Sequence, residues 1–166
     1  MKHFKTSLIV LLLTVGLSSM SYAQSKLAHI NTQELIKVLP EAIEANKQLE
    51  KLEQTYTKDI QTSYLEYQKK LEQYQKEAET QPKEVNERRA NEMSDVENRI
   101  REAQESAAKE LQQKRSDLYG PIMEKVRAAI QKVAKQLGYE YVLDASTLIV
   151  ADGKNLLPEV KKELGL

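Results

Sequence analysis

Apolar residues recur at every third or fourth position from Glu41 to Tyr119, a stretch with no glycine and a single proline, Pro82, near its midpoint. The positions between them are polar, and the stretch carries 18 acidic side chains and 14 basic ones. This period in a charged, glycine-free run predicts helix, and one internal proline predicts a break. Two long helices joined at Thr80-Gln81-Pro82 follow, one from Glu41 to the break and one from the break to Tyr119. At 1.5 Å per residue each arm reaches roughly 55–60 Å. Near-equal arms about one break predict an antiparallel hairpin that leaves a small body and returns to it.

The first arm has an apolar row at Leu49, Leu52, Tyr56, Ile60, Tyr64, Tyr67, Leu71, Tyr74 and Ala78. Its average step is about 3.6 residues, against the 3.5 of a strict heptad, which predicts nearly straight helices in loose pairing. The second arm answers with Val85, Met93, Val96, Ile100, Ala103, Ala107 and Leu111. These are smaller, so the arms are expected to approach closely at Ala103 and Ala107. Glu66–Lys70, Glu72–Lys76, Glu97–Arg101, Glu105–Lys109 and Glu110–Lys114 all place the acid one helical turn before the base, the favourable order.

The flanking segments change period. Lys26 to Ile30 reads as a short strand, followed by Asn31 as a helix N-cap with Glu34 completing a capping box. A short helix from Thr32 to Leu39 stops at Pro40. Beyond the arms, Gly120-Pro121 predicts a kink or a restart. Ile122, Val126, Ile130, Val133 and Leu137 then form one apolar face that Gly138 closes. Tyr139 to Asp144 and Thr147 to Ala151 are β-rich and read as a hairpin or consecutive strands. Asp152-Gly153 is a turn, and Pro158 opens a final helix carrying Val160 and Leu164.

Residues 1–23 have the form of a secretory leader. Lys2 and Lys5 precede an apolar run from Leu8 to Leu17, and Ser21-Tyr22-Ala23 offers small residues for cleavage before Gln24. The expected organisation is thus a leader at 1–23, a β-containing oligomerisation body at 24–40 and 120–166, and a hairpin arm at 41–119 with its tip near 80–83. The leader takes two lysines and no acid with it, so the remaining chain is net −2, which gives no strong field for nucleic acid or anionic lipid.

Candidate chemistry is sparse. The chain has no cysteine, and no metal spacing, nucleophile–base pair or phosphate loop appears, so neither an enzyme nor a cofactor is expected. His29 in the first strand reads as structural ahead of a ligand or pH switch. Asp144 reads as a turn former ahead of a catalytic carboxylate. The body, without disulfide or metal, falls below the roughly 70–80 residues at which a single core begins to suffice, so oligomerisation is expected. Its core would be built from Leu27, Ile30, Val142, Leu143, Leu148 and Ile149, strand positions apolar on both faces. Burial asks for an oligomer without fixing its number.

The order of leader, strand, capped helix, long hairpin, helix, glycine, strands and short helix resembles the Skp/OmpH family of periplasmic chaperones. The resemblance is carried by Leu27-Ala28-His29-Ile30-Asn31 and, more specifically, by Gly138-Tyr139-Glu140-Tyr141-Val142-Leu143-Asp144-Ala145-Ser146. It implies a mainly α protein with a small β body, whose long antiparallel hairpins project from an oligomeric β-barrel-like core built by three chains. The implied function is ATP-independent holding of unfolded outer-membrane proteins in a cavity between arms, in the periplasm, with membrane contact at most transient. A coiled-coil spacer or adaptor of the cell envelope is the alternative. In residues 69–90 six basic side chains interleave with five acidic ones, a more balanced arm tip than the strongly basic members of the family have. Tyr56, Tyr67 and Tyr74 fall on one stripe, which reads first as interarm packing and second as a client contact. Tyr64 lies about 80° away and is the better candidate for an exposed contact.

Overall fold

A computed structural model describes residues 26–166. The expected leader and its cleavage before Gln24 lie outside the described residues. The elements are β1 (Leu27–Ile30), α1 (Thr32–Val38), α2 (Pro40–Glu77), a 3-10 turn (Ala78–Thr80), α3 (Lys83–Leu137), β2 (Tyr141–Asp144), a second 3-10 turn (Ala145–Thr147), β3 (Lys154–Asn155) and α4 (Leu157–Glu163). The protein is mainly α with a small three-stranded sheet. It divides into two compact units, a hairpin unit of residues 34–127 and a sheet-bearing unit of residues 26–33 with 128–166.

In the hairpin unit α2 opens on Pro40, whose missing N–H falls where a helix has no internal acceptor to offer. After the 3-10 turn, Gln81 is extended (φ −100°, ψ 147°), as a residue before proline prefers, and the chain reverses. Asn86 Nδ2 donates to the Ala78 carbonyl at 2.8 Å and so ties the reversal to the first turn of α3. Leu35, Leu39, Ala42, Ala45 and Leu49 are buried on the outgoing side, and Met93, Ala107, Ile122 and Val126 on the returning side. The helix does not restart at Pro121, because α3 is continuous through it. The apolar positions Leu118, Ile122 and Val126 keep helical spacing across the proline, so packing offsets one missing ladder bond.

In the sheet-bearing unit Gly138 takes φ 78°. The Tyr139 N–H reaches back to the Ala134 carbonyl (2.9 Å) and the Gly138 N–H to that of Lys135 (3.3 Å). This Schellman closure ends α3 where the sequence places its stop. The sheet order is β2-β1-β3 and both pairings are parallel, so the expected hairpin between the late strands is not formed. Nor is there a strand over 147–151. Asp144 accepts from the Ser146 N–H (3.0 Å) and winds Ala145–Thr147 into a 3-10 turn, after which the chain runs irregularly to β3. This local side-chain bond competes with the β preference of Leu148-Ile149-Val150. Register places Ala28 with Val142 and Ile30 with Asp144 on one face, and Leu27 with Tyr141 and His29 with Leu143 on the other. Ala28, Ile30, Val133, Leu156 and Val160 are buried.

Candidate functional site

The hairpin unit is crossed by side-chain rungs. Lys125 pairs with Glu41, the Tyr119 hydroxyl donates to Asn46 (2.9 Å), and the Tyr56 hydroxyl donates to Glu110. Further along, Tyr74 donates to Glu92 (2.8 Å), Lys70 also reaches Glu92, and Arg89 pairs with Glu77. The Arg89 guanidinium lies 4.4 Å from the centre of the Tyr74 ring. Most rungs join residues equally far before and after Lys83, so the polar pairs share one antiparallel register.

These bonds bias protonation. Hydrogen bonds from Tyr56 and Ser106 hold the Glu110 carboxyl below its ordinary value, and Glu110 in turn pushes the Tyr56 hydroxyl up. Lys70 and then Tyr74 lower Glu92, while Gln73 and then Arg89 lower Glu77. Of the pairs expected along single helices, Glu72–Lys76 closes at 2.6 Å. Lys70 and Glu110 are used across the hairpin instead, and Arg101 bonds Asn98.

Between the Tyr56 rung and the Lys70 rung the arrangement differs. A cleft of about 920 Å³ opens there, walled by Ile60, Tyr67, Val96, Ile100, Ala103 and Ala107 and bordered by the charged Asp59, Glu66, Lys69, Lys70, Arg99 and Glu110. Of the two small residues expected to let the arms approach, Ala107 is buried and Ala103 is exposed, and both line this cleft. A shallower hollow of about 520 Å³ shares Ile60 and is bordered by Tyr64 and Gln104.

The four tyrosines have different surroundings. Tyr56 and Tyr74 are engaged by glutamates across the hairpin, and Tyr67 lines the cleft. Tyr64 is 50% exposed and stacks on Tyr67 with centroids 6.3 Å apart.

The residues expected to form an oligomerisation core also divide. Ile30 is buried, and Val142 and Leu148 are half-buried. Leu27, Leu143 and Tyr141 are exposed on one sheet face, and Ile149 is fully exposed. His29 shares the Leu27 face but is covered. Its Nε2 donates to the Gly153 carbonyl at 3.1 Å, while Nδ1 meets no partner among the described residues. Burial pushes the Asp144 carboxyl up, but bonds from Thr32 and Ser146 outweigh it and leave the group below its usual range. Asp144 thus links β2 to the start of α1.

The sequence reading missed Glu92, Glu110 and Arg89 as rung partners. Reflecting the chain about the break would have found them, since each then falls opposite a tyrosine or an acid. Among the described residues no three His, Cys, Asp or Glu side chains come together as metal ligands.

Shallow, contact-type surfaces on a long hairpin and a small parallel sheet define the class of fold. The family model described as outer membrane protein (OmpH-like) matches residues 26–164. The chain belongs to this OmpH-like, or Skp/OmpH, family. Among solved structures it is similar to that of an OmpH-like outer membrane chaperone candidate from Caulobacter crescentus CB15. The TM-score is 0.73 at 12% identity, covering 86% of this chain and 85% of that one. At that identity the likeness is one of fold. No curated protein matches.

Proposed function

We propose that this protein is an ATP-independent periplasmic holdase that keeps unfolded outer-membrane proteins soluble between the helical arms of a homotrimer. Membership of the OmpH-like family over residues 26–164 carries the reading. The similar Caulobacter protein is described as an outer membrane chaperone candidate, which agrees with it. The trimer draws support from the sheet-bearing unit, where Leu27, Tyr141, Leu143, Ile149 and Val150 are all exposed. Apolar residues gathered on a small unit mark an association surface. Holding then rests on enclosure and many weak contacts, so release needs no nucleotide.

The test is light scattering on purified residues 24–166, alone and after dilution of a urea-unfolded outer-membrane β-barrel protein into the solution. A particle of three chains that takes up the barrel protein and keeps it soluble is the expected result. A trimer that leaves the barrel protein to aggregate would move the assignment to an envelope spacer. A folded monomer would remove the enclosed cavity altogether.

A further inference from the structure

We infer that His29 is an acid-sensitive clamp on the segment that joins β2 to α4, holding it to the sheet while the imidazole is neutral and releasing it when the ring takes a proton. This goes beyond the holdase reading and does not depend on it. His29 sits in the central strand of the β2-β1-β3 sheet, in register with Leu143 of β2 and Asn155 of β3. It grips the chain on both sides of β3. Its ring Nε2 donates to the Gly153 carbonyl (3.1 Å) just before the strand, and its own carbonyl accepts from the Leu156 N–H (2.9 Å) just after it. The strand itself is two residues long, and both are exposed. The chain leading to it, residues 148–153, is neither helix nor strand and carries the exposed Ile149 and Val150. Opening the clamp therefore changes how this apolar surface is presented.

One protonation state of the ring fits. A carbonyl only accepts, so Nε2 carries the hydrogen and Nδ1 of the neutral ring is bare. His29 is 8% exposed, and Nδ1 is buried with no partner among the described residues. A proton at Nδ1 would place a cation and a new donor where neither finds an acceptor, and both are costly in a buried site. The charges around the sheet do not offset that cost. Register puts Asp144 and Lys154 on the opposite face, with Ile30 and Ala28, where Thr32 and Ser146 engage Asp144 and Glu159 engages Lys154. Lys26 pairs with Glu140, and Glu163 of α4 pairs with Lys132. The face of His29 carries Leu27, Tyr141 and Leu143, and a tyrosine bears no charge in the acid range. The acid next to the clamp in sequence is Asp152. Parting the ring from Gly153 is the short route to water, because so little else holds β3.

Residues 24–166 contain one histidine, so an imidazole signal in their NMR spectrum belongs to His29 alone. Amide exchange is measured alongside at about pH 7.5 and about pH 5, which span the range where histidine ordinarily changes charge. The protection factor of the Leu156 amide is expected to fall roughly tenfold at the lower pH, the scale of one unsatisfied buried donor. The Tyr141 amide, bonded to the Lys26 carbonyl at 3.0 Å on the other edge of β1, should keep its protection. His29→Gln places a neutral N–H near the position of Nε2 and should abolish the pH dependence, whereas Asp152→Asn should leave it in place. An equal fall in His29→Gln, or a fall abolished by Asp152→Asn, overturns the clamp and assigns the effect to a carboxylate. Leu156 protection that is the same at both pH values in the unmodified chain also overturns it. Should His29→Gln fail to fold, the unmodified chain still decides. Charging of the imidazole at the midpoint of the Leu156 loss supports the clamp, and two separate midpoints overturn it.

Discussion

The sheet-bearing unit and the hairpin unit are held together by different means. In the first, backbone bonds join strands from distant parts of the chain, and Ala28, Ile30, Val133, Leu156 and Val160 are nearly solvent-free. In the second, few residues along the long helices are buried and polar rungs cross the pair. Exposed ionic rungs add little stability, but they penalise sliding, so their main product is register. The sheet-bearing unit has the opposite imbalance. One face is satisfied, while Leu27, Tyr141 and Leu143 on the other face remain in water. A unit with surplus apolar surface is suited to association, and one with surplus polar surface is suited to standing in solvent.

The largest way to break this comparison is Leu143→Asp. Leu143 is 39% exposed in the single chain, so the substitution should leave the protomer folded. If the sheet face is an interface, it would bury an unpaired charge there, at a cost of roughly 3–5 kcal/mol. Circular dichroism should be unchanged and light scattering should report monomer. An intact oligomer would show that this face is not where copies meet.

Leu156→Ala attacks the satisfied face. Leu156 is fully buried beside the strands, and its N–H bonds the His29 carbonyl at 2.9 Å. Truncation should cost about 2–5 kcal/mol. Segment-resolved hydrogen exchange should show lost protection over 141–164 and little change over 50–110. Equal losses in both regions would mean that the two units unfold as one, which would erase the distinction between them. A smaller effect is expected from Gly138→Ala. A methyl group added there meets nothing within 4 Å, but the backbone sits in the left-handed region, so only left-handed strain acts. That strain is roughly 1–2 kcal/mol, and thermal melting should register it. No loss would indicate that the Schellman closure relaxes without cost.

How much of this was legible in the sequence differs between the units for a physical reason. The helices of the hairpin and its reversal are local structures. Period, proline and glycine punctuation mark α2, the reversal and the end of α3 within a few residues, and Gly138 takes the backbone that its position requires. In the middle of the hairpin Ala107 is buried and Ala103 exposed, a difference that two alanines of equal size do not announce in the sequence. The sheet is non-local. Leu148-Ile149-Val150 has strand propensity, yet Asp144 diverts the backbone into a 3-10 turn just before it. Propensity reports what a segment could do on a pleated surface, and only the fold decides whether that surface is supplied.

The finest test of the comparison is the Tyr56–Glu110 rung. Its hydrogen bond requires Tyr56 protonated and Glu110 ionised. Glu110 is lowered in the folded state, so its contribution is present above the ordinary glutamate pKa and is lost as pH falls through the folded value. Tyr56 is raised, so its contribution is present below the ordinary tyrosine pKa and is lost as pH rises through the folded value. The rung is therefore complete between about pH 5 and about pH 9. Tyr56→Phe should reduce hydrogen-exchange protection factors for the turns around residues 56 and 110 near pH 7, with the difference from wild type shrinking toward pH 3 and pH 11. Because the rung is solvent-exposed, the change should be small and confined to those turns. A difference that is independent of pH would mean that the ring's packing, and not its hydroxyl, fixes the register at that point. The hairpin would then be organised by apolar contact after all, as the sheet-bearing unit is.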